Sequence, residues 1–239
     1  MSLPNGIRSR HLDNGNGLSI HFLEAGFDQA ARPLLLLLHG FPELAYSWRK
    51  IMLPLAAAGF HVVALDQRGY GETRGWDNRY EGDLASFRFL NLVQDTLGLV
   101  WALGYQTVSA VVGHDFGSSV AGCCALIRPD VFRSVVMMSA PFTGAPAFVN
   151  DEANKDPRLP YAPATKGKDI HAALAELTPP RKHYQWYYST PDANANMWRS
   201  PDGVHAFLRA YYHHKSADWK LNQPFKLNAW RAKDLAQLP

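Results

Sequence analysis

Only two of the 239 residues are cysteine, and Cys123 and Cys124 stand side by side in an apolar stretch. They read as two small buried side chains, because adjacent cysteines in such a setting suit neither a disulfide framework nor a metal site. Long apolar runs are also missing. The longest, from Pro33 to Leu38, is broken by His39 and falls far below the ~20 residues that a membrane-spanning helix needs. The 24 basic side chains slightly outnumber the 21 acidic ones, for a net charge of +3. They form no basic block interleaved with aromatics, which argues against a nucleic-acid partner. The opening MSLPNGIRSR holds no apolar segment of the kind a secretory signal uses, so the expected location is cytoplasmic. Repeats, heptads and low-complexity tracts are absent as well. What remains, at 47% hydrophobic and 19% charged, is the composition of a folded domain with one substantial core.

The apolar residues are arranged in short runs. Leu18, Ile20 and Phe22 alternate with Ser19 and His21, which predicts a half-buried strand, and Asn14-Gly15-Asn16-Gly17 predicts a tight turn from a preceding strand at an antiparallel edge. Leu34 to Leu38, Val62 to Leu65, Val108 to Val112 and Val135 to Met138 are continuously apolar, as strands are when helices cover both faces of a parallel sheet. Between them, Trp48, Met52 and Leu55, then Leu90, Val93, Leu97 and Val100, then Val120, Cys123 and Ile127 recur at helical spacing. The alternation predicts an α/β fold with a mostly parallel sheet.

After Ala140-Pro141 the character changes. Residues 144–165 read as an irregular excursion rich in Pro, Ala, Asp and Asn. Asp169 is placed to cap a helix carrying Ile170, Leu174 and Leu177 before Pro179-Pro180, and Ser200-Pro201 to start another carrying Val204, Phe207, Leu208 and Tyr211. With Trp186, Trp198, Trp219 and Trp230 nearby, the expected organisation is a sheet-based core over 1–143 and a helical lid with an aromatic underside over 144–239.

The chemistry centres on Gly113-His114-Asp115-Phe116-Gly117, where an apolar strand runs into Gly-x-Asp-x-Gly and then an apolar helix. This is the setting of a nucleophile elbow with Asp in place of the usual Ser. A carboxylate there stays ionised at the positive end of a helix and can attack an electrophilic carbon to give an ester. The alternative is that Asp115 merely caps the helix; Ser118 and Ser119 read as packing or helix-start residues. The second segment, His39-Gly40-Phe41-Pro42-Glu43, follows the leucine strand, so the N–H groups of Phe41 and Phe116 can together form an oxyanion hole for that ester. His39 is expected to orient the loop by a hydrogen bond, with a role as base the alternative. Asp66 and Arg68 are expected to organise the loop after the second parallel strand. His213, His214 and Asp218 lack the surroundings of a zinc motif, and Gly69-Tyr70-Gly71 lacks the rest of a phosphate loop, so neither a metal nor a cofactor is expected.

With these motifs in order, the chain resembles the α/β-hydrolase superfamily, and within it the epoxide hydrolase branch. His39-Gly40-Phe41-Pro42-Glu43 with Trp48 is similar to that branch's oxyanion loop, Asp66-Gln67-Arg68-Gly69-Tyr70-Gly71 to its signature after the strand, and Gly113 to Gly117 to its Asp nucleophile elbow. The resemblance implies an α/β-hydrolase sheet with a helical lid. It implies hydrolysis of a small apolar epoxide by water to a vicinal diol through an ester on Asp115, without a cofactor. It also implies that Tyr184, in Lys182-His183-Tyr184-Gln185, supports the departing epoxide oxygen; packing among aromatics is the alternative, and Tyr211 and Tyr212 are the candidates for a second lid tyrosine. A dehalogenase using the same Asp is a rival, weakened because Phe116 offers neither the ring N–H nor the Arg found after the nucleophile in such enzymes. A non-catalytic binding protein on the same fold is the second rival. The resemblance further implies a late acid and a catalytic His following two more strands. Nothing after about residue 225 reads that way. The chain is therefore expected to be incomplete at its C-terminal side, with an open sheet edge inviting self-association.

Overall fold

The structure is a computed structural model that describes residues 2–29, 31–140, 142, 144, 170–223 and 226–237, in two compact units, Met1–Phe148 and Val149–Pro239. Among the described residues the first unit carries six strands: β1 (Ile7–Asp13), β2 (Ser19–Ala25), β3 (Leu34–Leu38), β4 (His61–Leu65), β5 (Ala110–His114) and β6 (Val135–Met138). They form one sheet in the order β1-β2-β4-β3-β5-β6. The pairs β3/β4, β3/β5 and β5/β6 are parallel, and the β1/β2 hairpin joins β4 antiparallel.

Side chains alternate across a strand, so the leucines of β3 serve two cores. Leu34, Leu36 and Leu38 face one side with Phe22, Val63 and Val120, whereas Leu35 and Leu37 face the other with Val62, Trp48 and Met52. The helices divide accordingly. α1 (Arg49–Ala57) buries Met52 and Ala56 on the second side, and α2 (Phe89–Ala102) and α3 (Phe116–Ile127) cover the first. Trp48 falls not in α1 but in a 3-10 turn, Ala45–Trp48, that leads into it. Cys123 and Cys124 are free and buried in α3, and burial pushes the Cys124 thiol up to about 12.

Three expectations change. β2 is not half-buried: it lies between β1 and β4, so its polar residues His21 and Glu24 are enclosed along with its apolar ones and survive there by pairing. The strand expected over Val108 to Val112 runs instead from Ala110 to His114, because Gly113 pairs with Leu38 and Met137 and carries the ladder on to the elbow; Val108 only bridges Phe132. β6 is apolar yet exposed along its length, between 37% at Val135 and 48% at Val136, as the last strand of the sheet among the described residues.

The second unit contains α4 (Ile170–Ala175), α5 (Tyr184–Tyr188), α6 (Ala193–Trp198), α7 (Gly203–His213) and α8 (Ala232–Leu235). α4 stops ahead of Pro179-Pro180, with Leu174 buried. α7 begins two residues later than Ser200-Pro201 implies, because Ser200 O closes a turn with Gly203 N–H (2.7 Å) before the helix starts. The excursion over 145–165 and the cap at Asp169 lie outside the described residues. Among the described residues no helix is long and apolar enough to cross a membrane.

Glu24, fully buried in β2, shows what enclosure of an acid requires. Arg8 Nε (2.6 Å), Arg10 Nη1 (3.1 Å) and His61 Nε2 (2.8 Å) all meet its carboxylate. Burial alone would raise its pKa, but the hydrogen bonds from His61, Arg8 and Arg10 outweigh burial and hold the carboxyl at about 2 against an ordinary 4.5. A carboxyl held low contributes stability that is complete above its unfolded value and is lost as pH falls through the folded one. Unfolding free energy, measured with urea, should therefore fall by about 3 kcal/mol as pH drops from 4.5 to 2 through this residue alone. Glu24→Gln should remove that part of the decline, and an acid limb identical in the variant and the parent would refute the assignment.

Candidate active site

β5 ends at His114 and α3 begins at Phe116, leaving a single residue to turn the chain between them. Asp115 does so at φ 54° and ψ −121°, a left-handed conformation that costs a non-glycine residue about 1–3 kcal/mol. Its N–H donates to Met138 O and its carbonyl accepts from Ser118 N–H, both at 3.0 Å, so hydrogen bonds fix the turn on both sides. Glycines make the turn sterically feasible. A Cβ on Gly113 would lie 2.1 Å from Gly117 O, one on Gly117 would lie 2.3 Å from Leu38 O, and one on Gly40 would lie 2.4 Å from the Asp115 Cβ.

The carboxylate of Asp115 makes no capping bond to α3. It instead accepts the Phe41 N–H on Oδ1 at 3.0 Å, which brings the loop after β3 and the elbow after β5 into direct contact. Phe116 N–H belongs to the first turn of α3, where amides have no partner within the helix. The positive end of that 12-residue helix adjoins the carboxylate. The Phe116 ring is itself partly exposed and stacks on Phe89, centroids 5.5 Å apart.

The neighbouring polar groups hold the loop. His39 is fully buried; its Nδ1–H donates to Gly40 O (2.9 Å) and its Nε2 accepts from Gln67 N–H (3.1 Å). Both imidazole nitrogens are thus committed to backbone, and burial lowers the pKa and keeps the ring neutral. This is the loop-orienting role expected of His39, not that of a base. Tyr70 packs edge-on against it at 4.8 Å, and burial together with the charge of Asp115 raises its phenol. Glu43 reaches back to His114, Oε2 to Nδ1 2.9 Å. Ser118 is buried and donates to Ala140 O (2.8 Å), a packing role as expected.

Asp66 ties the loops together from below β4. Its carboxylate accepts Ala45 N–H (2.8 Å) and Glu72 N–H (3.1 Å) and pairs with His21 Nδ1 at 2.7 Å, forming a buried histidine–aspartate pair. Burial would raise its pKa, but these three donors outweigh that and keep the carboxyl below its usual range. His21 was missed by pattern reading, because alternation assigns it to an exposed face. Arg68 makes a bidentate pair with Asp95 of α2, both contacts 2.7 Å, in line with a loop-organising role.

Asp115, Phe41 and Phe116 thus come together in the first unit. Tyr184 belongs to the second, at the start of α5, about half exposed, with its ring stacked on His183 at 5.0 Å. Tyr211 and Tyr212 lie on α7. The rings of His213 and His214 stand at 85° to one another, and among the described residues no three His, Cys, Asp or Glu side chains gather as metal ligands. Among the described residues no histidine is hydrogen-bonded to Asp115.

Residues 33–235 match the family model described as alpha/beta hydrolase fold. The chain belongs to this family. Among curated proteins, this hydrolase-fold chain is 38% identical over 181 residues to epoxide hydrolase B of Mycobacterium tuberculosis, covering 75% of this chain and 46% of that protein. It is 39% identical over 127 residues to an epoxide hydrolase of Caballeronia sordidicola, covering 53% and 36%. Of solved structures, potato (Solanum tuberosum) epoxide hydrolase I aligns with TM-score 0.64 at 28% identity over 98% of this chain and 62% of that one. An epoxide hydrolase from an endophytic Streptomyces aligns with TM-score 0.62 at 33% identity over 88% and 54%. The chain spans less than half the length of the two curated relatives.

The glycine contacts yield a direct test. Gly117→Ala sets a methyl against two backbone carbonyls, of Leu38 and His39, that have no side-chain freedom to yield. It should lower the unfolding free energy by about 1–3 kcal/mol, read from urea denaturation, as overpacking of a filled site does. An unchanged midpoint would show that the elbow has slack.

Proposed function

We propose that this hydrolase-fold chain carries the nucleophile half of an epoxide hydrolase, with Asp115 attacking an epoxide carbon. The observation that carries the reading is the Asp115 carboxylate itself: turned away from its helix by a left-handed backbone and held by Phe41 N–H. A cap would bond the helix, whereas a nucleophile must be aligned and partly desolvated in front of it. The similarity to epoxide hydrolases of bacteria and plants supports the choice of substrate class. Phe116 favours it over a carbon–halogen substrate, since a phenyl ring has no N–H with which to receive a halide.

In the first step Asp115 Oδ2 forms a bond to the epoxide carbon, the ring C–O bond breaks, and the departing oxygen takes the proton of the Tyr184 hydroxyl. In this reading the region from 144 onward is the lid, and Tyr184 is its contribution to the step. The product is a hydroxy-ester of Asp115. When water, activated by a histidine, attacks that ester, Phe41 and Phe116 N–H receive the oxyanion and the diol leaves. The residues described above account for ester formation and oxyanion support. No cofactor enters either step. The partners are a small apolar epoxide and water, in a cytoplasmic setting that suits the free, buried Cys123 and Cys124. Exposed β6 gives a second copy of the chain an edge to pair with.

Incubation with styrene oxide followed by mass spectrometry of the denatured protein tests the first step. An increment equal to one epoxide should map to Asp115 and vanish in Asp115→Asn. Tyr184→Phe should slow its appearance about a hundredfold, the lower end of what a positioned proton donor contributes. Adduct formation that survives Asp115→Asn would overturn the proposal.

A further inference from the structure

A hydrogen-bonded relay lies in the same unit, away from Asp115. Ser9 on β1 places Oγ 2.8 Å from His21 Nε2, and His21 Nδ1 lies 2.7 Å from Asp66 Oδ2. The direction of each hydrogen bond follows from the chemistry. A carboxylate only accepts, so His21 Nδ1 carries the proton; Nε2 then presents a lone pair, and the Ser9 hydroxyl must donate to it. Hydroxyl, imidazole and carboxylate therefore stand in the order, and at the spacing, that withdraws a serine proton as the oxygen attacks. Two backbone amides, of Ala45 and Glu72, hold Asp66 from its other sides, so the carboxylate can neither swing away nor lose its orientation toward His21.

Burial is graded along the relay in the sense that reactivity needs. Asp66 is 3% exposed and His21 7%, so solvent does not compete for their hydrogen bond, whereas Ser9 faces water on the edge strand of the sheet. A hydroxyl in that position has water for a partner and needs no buried base to satisfy it. His11, two residues along the same face of β1, packs its ring 5.0 Å from that of His21 and reaches Glu72 O at 3.3 Å, which closes one flank. The relay is separated from the elbow by β4 and β3.

We infer that Ser9 is a second nucleophile of this chain, a base-activated hydroxyl that takes the acyl group of small aryl esters. Open exposure selects the substrate class: with activation supplied and no enclosing cleft, the leaving group must depart with little help, as a phenolate does and an amide nitrogen does not. In the step, Ser9 Oγ bonds to the acyl carbon while its proton passes to His21 Nε2. The carbon–aryloxide bond then breaks, and the phenolate leaves with the electron pair and takes the proton from His21. An O-acyl serine remains.

Incubation of the 239-residue protein with p-nitrophenyl acetate, followed by peptide mapping, tests this directly. Ser134 is also exposed and, among the described residues, its hydroxyl is hydrogen-bonded to no histidine, so it serves as an internal reference within the same molecules. Ser9 should be acetylated about 100-fold faster than Ser134, the lower range for a positioned general base. A ratio below about ten overturns the inference, and this measurement requires no variant to fold. In Ser9→Ala the label at this strand should disappear. In His21→Gln, provided circular dichroism matches the parent, the Ser9 rate should fall to that of Ser134; an unchanged rate in that folded variant likewise overturns it.

Discussion

Three backbones meet at the elbow with no space for a methyl group between them. Gly113 touches the carbonyl of Gly117, Gly117 touches the carbonyls of Leu38 and His39, and Gly40 touches the side chain of Asp115. This contact fixes how far α3 stands from β5 and how far the loop after β3 stands from both. Everything chemical in the first unit follows from it. Only with the chains this close can Phe41 N–H reach the Asp115 carboxylate, and only with the left-handed turn at Asp115 does that carboxylate leave the helix that it would otherwise cap. The strain of the turn is offset by the pairing of Asp115 with Met138 and Ser118 and by the burial of α3 against the sheet.

A second theme is enclosure of charge by complete pairing. Glu24, Asp66 and Asp95 are all nearly inaccessible, and each meets several donors from separate segments. A buried carboxylate lacking any of these would cost several kcal/mol, so each one enforces the relative placement of the segments that serve it. The hairpin, the loops following β3 and β4, and α2 are positioned in this way by acids, while the leucines of β3 supply the cohesion without specifying register. Apolar burial and polar specificity are thus divided between different residues of the same sheet.

Much of this was legible in the residues. Runs such as Leu34 to Leu38 and Val62 to Leu65 define strands because no other element of that length buries every side chain, and both occur where the pattern puts them. The elbow was legible for a different reason: only a tight turn needs glycine on both sides of an acid. What pattern could not reach was burial that depends on neighbours. His21 looks solvent-facing until β1 and the loop carrying Asp66 are placed around it, and Val135 looks like core until β6 proves to be the last strand. The shift of β5 toward Gly113 has the same origin, since the partner strands and not the local apolar count decide where a ladder ends. Likewise the start of α7 depends on a turn closed by a backbone bond, which leaves no mark on the hydrophobic pattern.

Asp95 offers a final consequence. Its two oxygens hold Arg68 in a fork, and Oδ1 also accepts from the side-chain amides of Asn16 and Asn14 in the hairpin turn. One carboxylate therefore bolts two stretches of chain, distant in sequence, to a single point on α2. The turn at residues 14–17 is thereby tied through Asp95 to Arg68 and so to the segment that carries Gln67, whose amide holds His39. The hairpin turn and the loop behind Asp115 thus share one anchor, a single carboxylate of α2.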